Sequence, residues 1–305
     1  MSTAAGKERS LNGIRKKGFD AWAVVISLVL GILAVMSAFP FYNVFISSFG
    51  SDAAIAKQSV YLIPTSIDLN AYRIIFSDFQ YVNALLVSIF VTVVGTTFNM
   101  LLTVSGGYVL SKKIPGRNII MGMIAFTMFF NGGLIPYYMT VKNYGLIDSL
   151  AVLIIPVGIN TFYLIIAMNF FRSIPEGIEE SARIDGANDI LILFKIVMPI
   201  ALPMLAAIGL YYAVDRWNDW YNAMLFITDK KKFPLQLLLR DMITNMTAQM
   251  DSASNSSFAS AAMRSVQPNR VKMAVIVVTT VPILMVYPFV QKYFAKGIMI
   301  GSLKG

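Results

Sequence analysis

SIPEGIEESARIDGANDILILFKIVMPIALP, residues 173 to 203, is the one long polar interruption on its side of a very apolar chain, and it reads as an element built to dock. Ser173 and Glu176 have the S-x-x-E spacing of a capping box, in which a hydroxyl and a carboxylate satisfy the free amides at a helix start. That spacing predicts a short helix from about Ile174 to Ile184. Glu179 and Arg183 stand four apart, the separation for pairing along its outer face, while Ile178, Ser181 and Ala182 keep the rest small and apolar. Asp185-Gly186 then breaks the helix, since glycine turns at positive φ without a side-chain penalty. Asn188 is placed to cap a second helix running to Pro199, at the threshold of another apolar stretch. A helix, a glycine elbow and a second helix on a membrane surface follow from these residues alone.

Composition sets the surroundings of that element. Hydrophobic residues make up 57% of the chain and charged ones 13%, and the mean hydropathy is +0.67, which excludes an ordinary soluble domain. There is no cysteine and no histidine, so disulfides, thiolate metal sites and the commonest general base are all absent. No G-x-x-x-x-G-K-[ST] cradle for phosphates occurs either. The net charge of +9 is spread around apolar stretches and fits membrane topology rather than nucleic acid.

Charge-free runs cover residues 21 to 51, 79 to 111, 118 to 141, 149 to 171, 196 to 214 and 273 to 291. Each meets the roughly 18 apolar residues that cross about 30 Å of hydrocarbon, so six transmembrane helices and an all-α integral membrane fold are expected. The first run is too long for a cleaved signal core and is read as a retained span. With the amino terminus inside, fourteen Lys and Arg fall on the inner side and ten outside, seven of the latter in the long segment 227 to 272. Short loops decide orientation, and they place both termini in the cytoplasm. The expected layout is a cytoplasmic arm over 1–20, a six-span unit over 21–294 surrounded by membrane lipid, and a cytoplasmic tail over 295–305. Within the six-span unit lie a cytoplasmic loop at 173–199 and an external loop at 227–272. In the external loop, Pro234 to Arg240 has the look of a short interfacial helix, and residues 251–262 form a low-complexity tract.

The residue order within 173–203 resembles a known pattern. Glu180-Ser181-Ala182, three residues, Gly186, nine residues and Ile196-Val197-Met198-Pro199 is similar to the EAA loop of ABC importer permeases, with both gaps kept and Ser181 and Met198 as small departures. Trp217-Asn218, GGLIP at 132–136 with GLIDS at 145–149, and KGIMIGSLKG at 296–305 resemble the carbohydrate branch of those permeases, in particular the oligosaccharide-importing, maltose-type second subunit. The resemblance implies the six-span fold of type I ABC importers. It also implies a coupling surface for an ATPase made by Glu179, Glu180, Ser181, Ala182, Asp185, Gly186 and Ala187. Partners implied are a second homologous permease, two ATP-binding subunits that supply ATP and magnesium, and an extracytoplasmic binding protein. This chain would hold no cofactor and catalyse nothing. The tail of such permeases reaches toward the ATPase pair.

For a sugar path, Asp215, Arg216, Trp217, Asn218 and Trp220 lie at the outer half of the fifth run. Charges there face a cavity or pair with each other, and Asp215 and Asp219, four apart, are both within reach of Arg216. Trp217 and Trp220 are expected to share a face near Tyr221, offering aromatic planes beside amide donors. An interfacial aromatic belt is the other reading of the same residues. Deeper in the span, Tyr212 or Tyr211 faces either the cavity or a neighbouring helix. Asn131, with Gly132, Gly133 and Pro136, marks a broken helix that borders either the path or the outer surface. Gly106-Gly107 reads as a close helix contact. Glu176, Glu179 and Glu180 are read as a solvated helix start rather than paired acids. Permeases for another solute such as peptide, an ion-coupled secondary transporter, and a membrane anchor or assembly factor that carries nothing are the competing classes. The ion-coupled alternative would have Asp215 and Asp219 as its only intramembrane acids.

Overall fold

A computed structural model of the protein describes residues 21–51, 67–251 and 268–302. The arm over 1–20, residues 52–66, residues 252–262 of the low-complexity tract and the last three residues of the tail lie outside that range.

The described chain is all helix and turn. Helix α1 is Ala21–Phe49, α2 is Asn70–Ser77, α3 is Phe79–Ser111, α4 is Arg117–Phe129, α5 is Leu134–Asn143, α6 is Thr161–Arg172 and α7 is Glu176–Ile184. Then come α8 at Asp189–Trp217, α9 at Tyr221–Phe226, α10 at Leu235–Asp251 and α11 at Pro268–Ser302. Three of these, α1, α3 and α8, are long and apolar enough to cross a bilayer alone. The third apolar run is not one straight helix: α4 and α5 meet at a 117° bend across residues 130–133. The fourth run is divided as well, into a 3-10 turn at Leu150–Leu153 and the twelve residues of α6. The glycines and proline at 132–136 signalled the first break. Asn160, whose side chain accepts from the amides of Phe162 and Tyr163, starts α6 and so fixes the second.

The second helix of the 173–199 loop does not stop at Pro199. It runs on into the next apolar run as α8, through a π-helical turn at Leu193–Val197. Proline inside a helix collides with the carbonyl four residues back, and a wider turn just before it relieves that collision. The loop's second helix and the apolar run after it are therefore one continuous rod.

At the centre, α3 packs against both α6 and α8. Gly107 makes the close contact that the Gly106-Gly107 pair suggested: a Cβ there would lie 3.2 Å from the Ala167 Cβ and 3.3 Å from the Met168 amide nitrogen. The inner core joins Tyr108, Phe171, Ala182, Val197 and Tyr212, whereas Tyr81, Trp217, Leu235 and Val271 form a second cluster toward the other end. Helix α11 packs against α1, α2, α8 and α10.

One charged link was not foreseen. Arg270 at the start of α11 is fully buried and donates to the Asp68 carboxylate at 2.8 Å and to the Asp68 carbonyl at 2.6 Å. Its guanidinium, with a further bond from the Asn70 amide, holds the Asp68 carboxyl down at about 2 against the usual 3.8. Because the folded value is the lower one, the stabilisation is complete above the unfolded value and is lost as pH falls through the folded one. Asp68→Asn should therefore lower the unfolding temperature by a constant amount from about pH 8 to about pH 5, with the difference closing toward about pH 2. A difference that grew on acidification would contradict this.

Candidate functional site

The helix, elbow and helix over 173–199 are built in three steps. Ser173 does not start α7; its hydroxyl donates to the Phe170 carbonyl at 2.7 Å and closes α6 instead. Ile174 precedes a proline and is biased away from helix, so α7 begins at Glu176 behind Pro175 and the predicted capping box does not form. Next, α7 ends in the two bonds of a Schellman turn: the Gly186 amide donates to the Arg183 carbonyl and the Ala187 amide to the Ala182 carbonyl, each at 3.0 Å. Gly186 sits at φ +84, as the elbow requires. Finally, Asn188 caps α8 by accepting from the Leu191 amide at 2.8 Å, as its position suggested.

The charges on α7 are arranged differently from the expected pairing. Glu179 is only 7% exposed; it turns inward, where Lys112 and the Tyr108 hydroxyl both donate to its Oε2. Lys112 also lies 4.3 Å from the centre of the Tyr108 ring. Arg183 reaches Asp189 at 2.9 Å, across the elbow. Glu179 therefore belongs to an internal strut tying α7 to the end of α3, not to a solvated face. Ala182 packs into the inner core and Ala187 lies against it. That leaves Glu180, Ser181, Ile184, Asp185 and Ile190 on the exposed side, with Ile184 and Ile190 as large apolar groups facing outward.

At the other end of α8 the expected charge cluster separates. Arg216 donates to the Leu153 carbonyl at 2.9 Å and lies 3.8 Å from Asp219, with its stem over Gly95. Asp219 in turn accepts from the Asn222 amide and side chain. Asp215, one residue before Arg216 and so about 100° around the helix, points elsewhere and accepts from the Tyr163 hydroxyl at 3.3 Å. Helix α8 ends at Trp217, so Asp215 and Asp219 are not successive turns of one face.

The aromatic residues are sorted the same way. Trp217 is 6% exposed and donates to the Thr279 carbonyl at 3.1 Å, so it is packed inside rather than presented beside Trp220. Tyr212 is 2% exposed, its hydroxyl within 2.7 Å of Thr103 Oγ1 and accepting from the Asn160 amide, which makes it a packing residue. Its neighbour Tyr211 is 49% exposed and stacks on Tyr163 at 5.7 Å and 15°. Tyr163, Tyr211 and Asp215 together make an open aromatic and carboxylate surface. Nothing in the residue order singled out Tyr163, which lies 52 positions from Asp215. Trp220 and Asn218 remain exposed. Asn131 is taken up by its own turn, accepting from the Gly133 amide at 2.9 Å.

The nearby outer turns are tied together by Asp148, a non-glycine residue at φ 57. Its carboxylate accepts from the Thr228 and Asp229 amides, its own amide donates to the Phe226 carbonyl, and those two amides hold its carboxyl below the ordinary range.

The chain thus carries one continuous helix with an elbowed end that exposes Ile184 and Ile190, and an open polar and aromatic surface further along. No family model matches the chain. Over 283 residues it is 45% identical to the polygalacturonan/rhamnogalacturonan transport system permease protein YtcP of Bacillus subtilis, covering 91% of this chain and 97% of that one. Protein LplC of the same organism is 41% identical over 91% of this chain and 93% of its own length. A chain from the crystal structure of a bacterial ABC transporter involved in the import of the acidic polysaccharide alginate matches with a TM-score of 0.82 and 38% identity, covering 90% of this chain and 96% of that chain. The chain therefore belongs to the permease subunits of carbohydrate ABC importers. It is a multi-pass membrane permease subunit.

Proposed function

We propose that this chain is one of two homologous permeases in the bacterial plasma membrane, crossing it six times with both termini in the cytoplasm, and that its cargo is uronate-bearing oligosaccharide. The observation that carries the cargo is a coincidence of relatives. The permease at 45% identity is named for polygalacturonan and rhamnogalacturonan, and the solved transporter chain at 38% for an acidic polysaccharide. Polymers of this kind carry a carboxylate on the sugar ring.

In this reading two ATP-binding subunits, holding ATP and magnesium, seat the exposed side of α7 with Glu180, Ser181, Asp185 and Gly186 at the contact. Closure of that pair swings α7 and the rod α8 as one lever. The cavity then opens outward to receive sugar from the binding protein, and Tyr163, Tyr211, Asp215, Asn218 and Trp220 border its route. Of Tyr211 and Tyr212, Tyr211 is the one on the route, because it is the tyrosine with an open ring face.

The test begins with a tag on this chain. A second permease and an ATP-binding subunit should co-purify, and in proteoliposomes the complex should hydrolyse ATP faster when the binding protein carries trigalacturonate than when it is empty. Elution of the chain alone in mild detergent, without ATPase, would end the importer assignment. Stimulation by neutral oligosaccharide but not by trigalacturonate would end the cargo assignment alone.

A further inference from the structure

Arg240 lies on α10 with its guanidinium 4.7 Å from the centre of the Trp220 ring. Three other cations of this region have acids: Arg216 has Asp219, Lys232 has Asp148 and Asp229, and Arg270 has Asp68. Among the described residues no carboxylate comes within 4.0 Å of Arg240. A guanidinium over an aromatic ring keeps its N–H donors in its own plane, in the fork that fits a carboxylate.

Beside it is a pair of amides. Gln236, one helical turn before Arg240 and on the same face of α10, donates to the Asn218 Oδ1 at 3.0 Å, while the Asn218 Nδ2 donates to the Val214 carbonyl at 2.9 Å. Asn218 is exposed, Trp220 is 38% exposed, and Arg240 and Gln236 are half-buried, so an indole, a guanidinium with no acid within 4.0 Å among the described residues and two amides share one partly open surface. A neutral sugar uses the indole and the amides. Only an anionic one forms a charge-assisted pair with the fork.

We propose that Arg240, Trp220, Asn218 and Gln236 form an entry subsite that reads the ring carboxylate of a uronate unit as the oligosaccharide passes from the binding protein toward the Tyr163–Tyr211 surface. The proposal rests on the cargo assignment above and adds to it which residues recognise the charge. Arg240 takes the carboxylate in a two-pronged ion pair, Trp220 packs against the C–H face of the ring, and the amides take its hydroxyls. Loss of a hydrogen bond to a charged group weakens binding by about tenfold or more, which sets the expected size of the effect.

Two measurements test it. In the first, the permease–ATPase complex in nanodiscs, without the binding protein, is titrated with trigalacturonate and with its methyl ester, which has the same chain and no charge. The wild type should bind the acid about tenfold more tightly than the ester. Arg240→Gln should erase that preference, Arg240→Lys should keep part of it, and Trp220→Leu should weaken both probes alike, with co-purification confirming that each variant assembles. In the second, uptake of trigalacturonate by the complete wild-type system, binding protein included, is measured. If uptake is normal but Arg240→Gln still prefers the acid, or the wild type shows no preference, the subsite is refuted and the cargo reading survives. If the wild type neither binds nor takes up the acid, both fall.

Discussion

Reversing the charge at Glu179 should abolish ATP-driven uptake while leaving membrane insertion intact, and Glu179→Lys combined with Lys112→Glu should restore much of it. The basis is the strut between α7 and the end of α3. Glu179 is nearly buried, with Lys112 and Tyr108 both donating to one oxygen, while the Lys112 side chain keeps 30% exposure. Removing one member of a fully buried pair costs roughly 3–5 kcal/mol, and partial exposure of Lys112 reduces that to about 2 kcal/mol. A second lysine in place of the glutamate adds repulsion to the loss.

The strain falls on the contact that makes α7 move with α3 rather than slide over it, so the readout that matters is ATP hydrolysed per sugar transported. Either single variant should hydrolyse ATP with little uptake, and the double exchange should recover the ratio. Tyr108→Phe, which deletes a single hydroxyl at 3.3 Å, should cost about 0.5–1.5 kcal/mol and leave most transport in place. Normal uptake by Glu179→Lys, or a double exchange no better than its parents, would show that the strut does not transmit the stroke.

Why the sequence disclosed one half of this arrangement and not the other is a matter of range. Asp185-Gly186, the Asn188 cap, the break at 130–133 and the Gly107 contact are signalled by residues within a few positions of where they act, and the structure has all four. The same local rules misassigned Glu179, because i and i+4 spacing says only that Arg183 is near, not that Lys112, 67 residues earlier, is nearer and drier. Trp217 and Trp220 were grouped by helical spacing, but the helix ends between them, and Trp217 meets Thr279 across 62 residues. Arg270 and Asp68 lie 202 apart and bear no local mark of each other. In a membrane chain nearly every helix is apolar all round, so periodicity gives little help in deciding which face packs. Partner choice is then made by packing between helices, which a linear reading does not contain.

Substitutions at Gly186 should follow backbone tolerance rather than side-chain size. The residue sits at φ +84, and a Cβ added there meets nothing within 4 Å, so steric room is not the constraint within this chain. The constraint is the left-handed conformation, which costs an L-residue roughly 1–2 kcal/mol. Asparagine visits that region more readily than most, and β-branched residues least. Gly186→Asn should therefore retain near-normal recovery of the ATP-binding subunits, Gly186→Ala should lose several-fold, and Gly186→Val should lose the subunits and uptake together. In each case membrane insertion should be unchanged. The mechanism is loss of the paired bonds from the Gly186 and Ala187 amides, which set the angle between α7 and the rod α8. An angle error there is carried along the 29 residues of α8 to its far end, where the proposed sugar route lies, so a small local cost should become a large failure of transport. If asparagine were as damaging as valine, the glycine would be needed for close approach of the ATPase surface and not for its φ. If valine were harmless, the elbow would not set the coupling geometry at all.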